Sequence, residues 1–505
     1  MSQTVPMSPL VVTGILALAI GLTVQGCAAQ RYEQLSQWPR DLEPLARTVD
    51  LAIGQSQEVA LADGRRVTVK LVDLKETRDG LRDAVRRAEV TVEVAGRRAT
   101  LVSATYRLPQ TVGDVQIDCP ITRGYVSNSR GNPWALDKDA RLRLWPKGSP
   151  WIQPGTFGYP VGQRWFASDT QMANEPTFVD GVESPGEGKI YYHSGLDFGG
   201  AEDLVDVLAA AEAVVCVAGK EKLAGYDGAA RADRVVLQDR RGWRYNYDHL
   251  VAIDPAVQPG VVVKLGRKIG SLGKEGDSGG WSHLHFATTS MQPSGRFGAD
   301  DAYAYAWQAG LAEQKPQTIA VARPHHFLWS GESAALDGSR SWAADGQPLR
   351  YEWTFSDGAK AERPTQTRVY PKAGEYSEIL KVTDAAGHVA YDFAVVQVID
   401  RVERDKKLPP GIHAVYYPTT GLRAGQTVTF KVRTFGTTSG EETWDFGDGA
   451  TAKTKSDGNV NAWAKDGYAV TQHAYSAAGD YIVTVRRTSE HNLTATTHLW
   501  VHVGK

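Results

Sequence analysis

The chain has 505 residues, 56 Lys and Arg against 58 Asp and Glu, and a formal net charge of −2, so it is long enough for three or four domains and carries no basic surplus. That balance, with no long basic run, argues against nucleic acid as the main partner and leaves peptides or glycans as substrates. Its three cysteines, Cys27, Cys119 and Cys216, are too sparse for a disulfide scaffold or a cysteine-built zinc cluster, so any zinc must be held by histidine and carboxylate.

Residues 1–27 predict an export signal. The apolar run Leu10 to Val24 is shorter than the roughly 20 residues of a membrane-spanning helix and ends in Thr23-Val24-Gln25-Gly26-Cys27-Ala28. Gly26 before Cys27 resembles the cleavage box of bacterial lipoproteins, which implies a lipidated Cys27, a membrane tether and a cell-envelope location, periplasmic or on the outer surface. Met1 to Pro9 lacks Lys and Arg, and Gln25 is bulky for that box, so plain secretion and a retained anchor are the alternatives. With Cys27 acylated, Cys119 and Cys216 either pair or stay as buried free thiols.

Residues 28–150 predict a small β-domain with a leading linker. Leu35, Trp38, Leu42, Leu45 and Ala46 are spaced for a short helix or an ordered linker. Arg66 to Val72 and Glu89 to Val94 alternate as half-buried strands do, and the polar stretch Lys75 to Arg87 reads as a solvated hairpin or loop.

Residues 151–314 carry the chemistry. Gln163 to Gly188 reads as a long loop whose Trp165, Phe166 and Phe178 either contact a substrate or pack the loop down. Lys189 to Tyr192 reads as a strand running into His193, closed by a turn at Phe198-Gly199-Gly200, and Arg234 to Leu250 as a hairpin ending in His249. Short apolar runs broken by glycine suit an antiparallel β fold. His193-x-x-x-Asp197 and His283-Leu284-His285 offer ligand types a catalytic zinc uses, with one position left for water. On a strand, the period of two points His283 and His285 to one face. Singly, each residue has a plainer reading: Asp197 before Phe-Gly-Gly is ordinary turn chemistry, and Tyr247 is better read as packing. The eight histidines outside these motifs, such as His325 and His388, are read as structural.

Together the pieces resemble the lysostaphin-like, or LytM-type, zinc endopeptidases of bacterial cell walls. His193-x-x-x-Asp197, Tyr247-x-His249-Leu250, the glycine-rich Gly270 to Gly280 and His283-Leu284-His285-Phe286 stand in family order over roughly residues 158–310. The resemblance implies that His193, Asp197 and His285 bind Zn²⁺ and that His249 and His283 flank the attacking water as catalytic residues. It also implies a sheet domain of the duplicated hybrid motif type, with peptidoglycan peptides as substrate. Two imidazoles and one carboxylate would leave the zinc with residual positive charge. A nearby histidine can move the proton, and a second can stabilise the developing oxyanion.

After Gln314 the pattern changes to a repeat, at 315–402 and 408–505. Tyr351-Glu352-Trp353-Thr354-Phe355-Ser356-Asp357-Gly358 in the first answers Trp444-Asp445-Phe446-Gly447-Asp448-Gly449 in the second, each followed by Gly-Glu/Asp-Tyr. Both resemble PKD domains, immunoglobulin-like β-sandwiches with a tryptophan between the sheets and a tight Asp-Gly turn. Turn formation accounts for their acidic loops without calcium.

The expected architecture is mostly β: a small β-domain, an antiparallel peptidase sheet and two immunoglobulin-like sandwiches. The expected function is zinc-dependent hydrolysis of peptide bonds in peptidoglycan cross-links or stem peptides. The alternatives are a non-catalytic cell-envelope binding or activator protein on a peptidase-like fold, and a secreted protease for glycine-rich proteins.

Overall fold

Alternating apolar positions become strands almost throughout the computed structural model, which describes residues 1, 31–175, 190–403 and 408–505. The export segment with Cys27, together with Phe178 and Lys189, lies outside the described residues.

Two four-stranded antiparallel sheets form the first domain and share a core that includes Val69, Leu71, Val92, Ile117 and Leu142. The linker before them makes one short 3-10 turn, Leu35–Gln37, whose Leu35 packs with Trp38, Val214 and Cys216 on the outer face of the peptidase sheet. The stretch expected to be a solvated hairpin or loop is a hairpin, the tip of two long antiparallel strands, Arg66–Arg78 and Val85–Val94, but it is docked on the first PKD domain rather than solvated. Leu81 joins Phe327, Trp329 and Ile399 in one apolar cluster, and Trp329 Nε1 donates to Gly80 O at 3.1 Å. Its charges pair locally, as Arg86 does with Asp79, and the Arg82 guanidinium lies over the Phe327 ring. Composition reads such a tip as solvated because the face that covers it comes from about 250 residues downstream.

The peptidase domain is built on one large antiparallel sheet. Its central strand, His283–Met291, is flanked by Arg244–Asp248 on one side and Leu196–Gly199 on the other. A smaller sheet of Asp206–Leu208, Lys268–Leu272 and Leu250–Ile253 lies beside it. Leu284 and Phe286, alternating with the two histidines, are fully buried in the core. Cys119 and Cys216 are buried free thiols in separate clusters, and burial pushes both up to about 12.

Trp353 and Trp444 sit buried at the centre of the two PKD sandwiches. The modules share one nine-stranded sheet, joined by a parallel pairing of Glu375 with Ala495. The second module also lies against the peptidase domain, where a hydrogen-bonded chain crosses the boundary. Ser282 N donates to Tyr468 Oη at 2.8 Å, Tyr468 Oη lies 2.8 Å from His413 Nδ1, and His413 Nε2 lies 3.2 Å from Ser168 Oγ. Ser168 Oγ donates in turn to Ala414 O at 2.9 Å, so its oxygen accepts from Nε2–H and leaves Nδ1 to accept from the tyrosine. Every partner is satisfied by a neutral His413.

Candidate metal centre and cleft

Strand register brings the motif residues together. Asp197 pairs with His285 and Gly199 with His283 across the two central antiparallel strands, and paired residues in such a ladder share a face. His193 arrives from outside the sheet. The run before it is not the expected strand: the ladder begins at Leu196 and continues through Gly199, where a turn was expected. His193 instead trades backbone hydrogen bonds with a neighbouring turn, its N donating to Glu175 O at 3.1 Å and its O accepting from Asn174 N at 2.8 Å. Gly199 can stay in the ladder because it has no Cβ, which would fall 2.5 Å from Asp169 O.

His193 Nε2, His285 Nδ1 and Asp197 Oδ1 form a triangle with edges of 2.9, 2.9 and 3.1 Å. Three electron-pair donors this close repel unless a proton or cation stands among them. Ligand atoms about 2.0–2.1 Å from a tetrahedral zinc stand about 3.4 Å apart, so a small outward shift accommodates the ion. Two imidazoles and a carboxylate also suit zinc chemically. Among the described residues this is the one group of three or more potential ligands, all within 4.8 Å of one another. Gly195 gives the group its room, since a Cβ there would lie 2.9 Å from His285 Cε1 and 2.9 Å from Phe286 O. Burial raises the Asp197 carboxyl, but the His193 and His283 imidazoles outweigh it and hold the group well below the usual carboxylate range.

His249 and His283 stand beside this triangle with ring centroids 4.6 Å apart. His249 Nδ1 lies 2.7 Å from Glu275 O and His283 Nδ1 lies 3.1 Å from Trp281 O. A carbonyl only accepts, so each Nδ1 carries the hydrogen and each neutral ring keeps its Nε2 lone pair. Burial pushes the His283 imidazole well below its ordinary value, and the nearby His249 adds to that against the pull of Asp197. The His249 backbone is in the left-handed region, φ 69°, a conformation held by Asp233 Oδ2 accepting from His249 N at 3.1 Å.

The cleft above these groups has a volume of about 590 Å³ and draws its lining from three domains: Arg130 from the first, Gln171, Arg231 and Gly279 from the peptidase, and Ala462 and Trp463 from the second PKD module. Arg231 is paired with Asp233, and Arg234 is held bidentately by Asp248 at 2.5 and 2.6 Å. The tyrosine of the histidine motif is fully buried: Tyr247 accepts from Ala210 N at 2.7 Å and packs edge-on to Phe286. Trp165 and Phe166 likewise pack against the core, with Tyr159, Tyr303 and Trp307 around them. Sequence reasoning passed over Trp281, although it stands two residues before His283, and passed over Asp233, whose signal is only a neighbouring Arg-Val-Val strand start.

Residues 191–294 match the family model described as Peptidase family M23, and residues 315–398 and 413–501 each match one described as PKD domain. Among curated proteins, Collagenase ColA of Clostridium perfringens is 36% identical over 69 residues, which span 14% of this chain and only 6% of that protein. Similar solved structures include a putative glycyl-glycine endopeptidase lytM from Ruminococcus gnavus, at 17% identity and a TM-score of 0.21, covering 31% of this chain and 61% of that one. Helicobacter pylori Csd3 is another, at 16% identity and a TM-score of 0.19, covering 50% of this chain and 55% of that one. The family match falls on the segment that holds all five motif residues, and the chain therefore carries a Peptidase family M23 domain followed by two PKD domains.

Proposed function

We propose that this chain is a zinc-dependent endopeptidase that hydrolyses peptide bonds of peptidoglycan cross-links or stem peptides. The observation that carries this reading is the convergence of His193, Asp197 and His285 within 4.8 Å on the floor of a cleft that also exposes His249 and His283. His193, Asp197 and His285 would hold the metal. Bound zinc supplies Lewis acidity, which polarises a carbonyl and makes water more acidic. Each Nδ1–H of His249 and His283 is committed to a backbone carbonyl, which leaves Nε2 as the atom of each ring that can exchange a proton in the cleft. One of them takes the proton of the attacking water on Nε2 and returns it to the departing amine, and the other, when protonated on Nε2, donates that hydrogen to the carbonyl oxygen as it gains charge. The two PKD domains fit a wall-directed enzyme, and export with a lipid tether at Cys27 is part of the same proposal.

The test is release of free amines from purified sacculi by the full chain, with metal content measured on the same sample. Zinc-dependent release that disappears in His249→Ala is expected. Metal-bound protein without cleavage would instead make the chain a cell-envelope binding protein.

A further inference from the structure

The two PKD modules differ at one connection. In the first, the strands Lys360–Ala361 and Thr365–Val369 are joined by residues 362–364, whereas in the second the corresponding strands Thr451–Thr454 and Ala469–Ala474 are joined by residues 455–468. The longer connection is ordered against the glycine-rich approach to His283. Asn459 Nδ2 donates to Gly279 O at 3.0 Å and Trp463 Nε1 to Gly276 O at 2.9 Å. Behind it the fully buried Arg433 donates to Gly280 O at 2.6 Å while gripping Asp457 and the Asn461 carbonyl of the same connection.

Trp463 is out of place for a structural residue. Its side chain is 65% exposed, and it is the one aromatic among the exposed large apolar residues of the described chain. Yet the indole is not loose, because its N–H is held by Gly276. The polar edge is used, and the apolar face is left to the cleft that His193, Asp197 and His249 also line. A rigid, apolar and uncovered surface beside a reactive centre is suited to contact with a ligand.

We propose that the second PKD domain supplies one wall of the substrate cleft and that Trp463 on that wall is a substrate-contacting residue, packing against the aliphatic part of the peptide that flanks the scissile bond. This rests on the peptidase reading above. The occupant follows from continuity: the indole lines the same cleft as the three converging ligands, so a peptide reaching them passes over it.

The probe is a cross-linked stem-peptide dimer freed of glycan, titrated calorimetrically into the zinc-loaded full chain carrying His249→Ala, alone and combined with Trp463→Ala or Trp463→Phe. Trp463→Ala weakens binding about tenfold and Trp463→Phe recovers most of it, with unchanged melting temperatures. In the chain with intact His249, Trp463→Ala raises KM and leaves kcat within about twofold. Equal affinity of the Trp463→Ala protein and its parent, or no binding by either, would overturn the proposal. Amine release from sacculi judges the peptidase reading separately: its absence with the binding difference retained removes the hydrolysis and leaves the wall.

Discussion

The indole of Trp281 lies flat on the imidazole of His283, with ring centroids 3.9 Å apart and planes inclined by 15°. The same indole meets His413 of the second PKD domain edge-on at 5.1 Å, and the Trp281 carbonyl accepts from His283 Nδ1. A single residue thus sets both the tilt and the tautomer of His283, and its ring is braced by another domain. Trp281→Leu keeps the carbonyl but removes the flat support. We expect kcat to fall by about 10²-fold with a smaller change in KM, as measured on stem peptides, because a small misplacement of a reacting group costs that much.

Gly195→Ala would place a methyl 2.9 Å from both the His285 ring and the Phe286 carbonyl oxygen, and the backbone atom cannot move aside. The imidazole must then turn away. Zinc affinity, read by competition with a chelating dye, should fall about 10–100-fold, the range found when the surroundings of a metal ligand are disturbed. Added zinc should restore part of the turnover.

Asp197→Ala removes one of the three proposed zinc ligands outright. Bound zinc measured by mass spectrometry should drop from one per chain to near none, and amine release by more than about 10²-fold. Chelation of the unaltered protein should have the same effect, reversed by zinc.

Arg433→Met empties a guanidinium site that ties the 455–468 connection to Gly280. Its partner Asp457 is 24% exposed and partly rehydrates, so the loss should be about 1–3 kcal/mol. Urea unfolding followed by tryptophan fluorescence would report it, with faster proteolysis at residues 455–468.

Burial pushes the His413 imidazole down to about 3 from its ordinary 6.5. A histidine that is neutral when folded but protonated when unfolded makes stability fall as the pH falls from about 6.5 towards 3, and adds no slope above 6.5. The loss by pH 4 should be on the order of 3 kcal/mol. His413→Gln should flatten that part of the curve of urea midpoint against pH, and a variant as acid-sensitive as the parent would contradict the assignment.

His193, Asp197, His249, His283 and His285 were legible in the sequence because each sits in a short pattern; strand register gathers Asp197, His283 and His285, and His193 and His249 reach the same cleft from outside the ladder. The repeated Trp-Asp-Phe-Gly-Asp-Gly and its counterpart were legible for the same reason: a core tryptophan and a tight turn are local needs. Trp281, His413 and Trp463 were not, since each takes its meaning from a partner on a distant segment. The hairpin tip near Leu81 misled because charge composition describes the residues that leave a surface wet, not the Phe327 and Trp329 that cover it. The strand expected before His193 failed because Ile190 exchanges backbone hydrogen bonds with Asn128 and Arg130 of the first domain, and His193 with Asn174 and Glu175, rather than with the sheet.

The wall bearing Trp463 is encoded far downstream of the residues it faces, so that one side of the groove is the last part of it to be synthesised. A nascent chain ending before residue 455 holds all five motif residues yet lacks Ala462 and Trp463 on the far side of the cleft. On the proposed peptidase reading, truncation at that point would leave the proposed metal ligands in place and remove the substrate contact that Trp463 supplies.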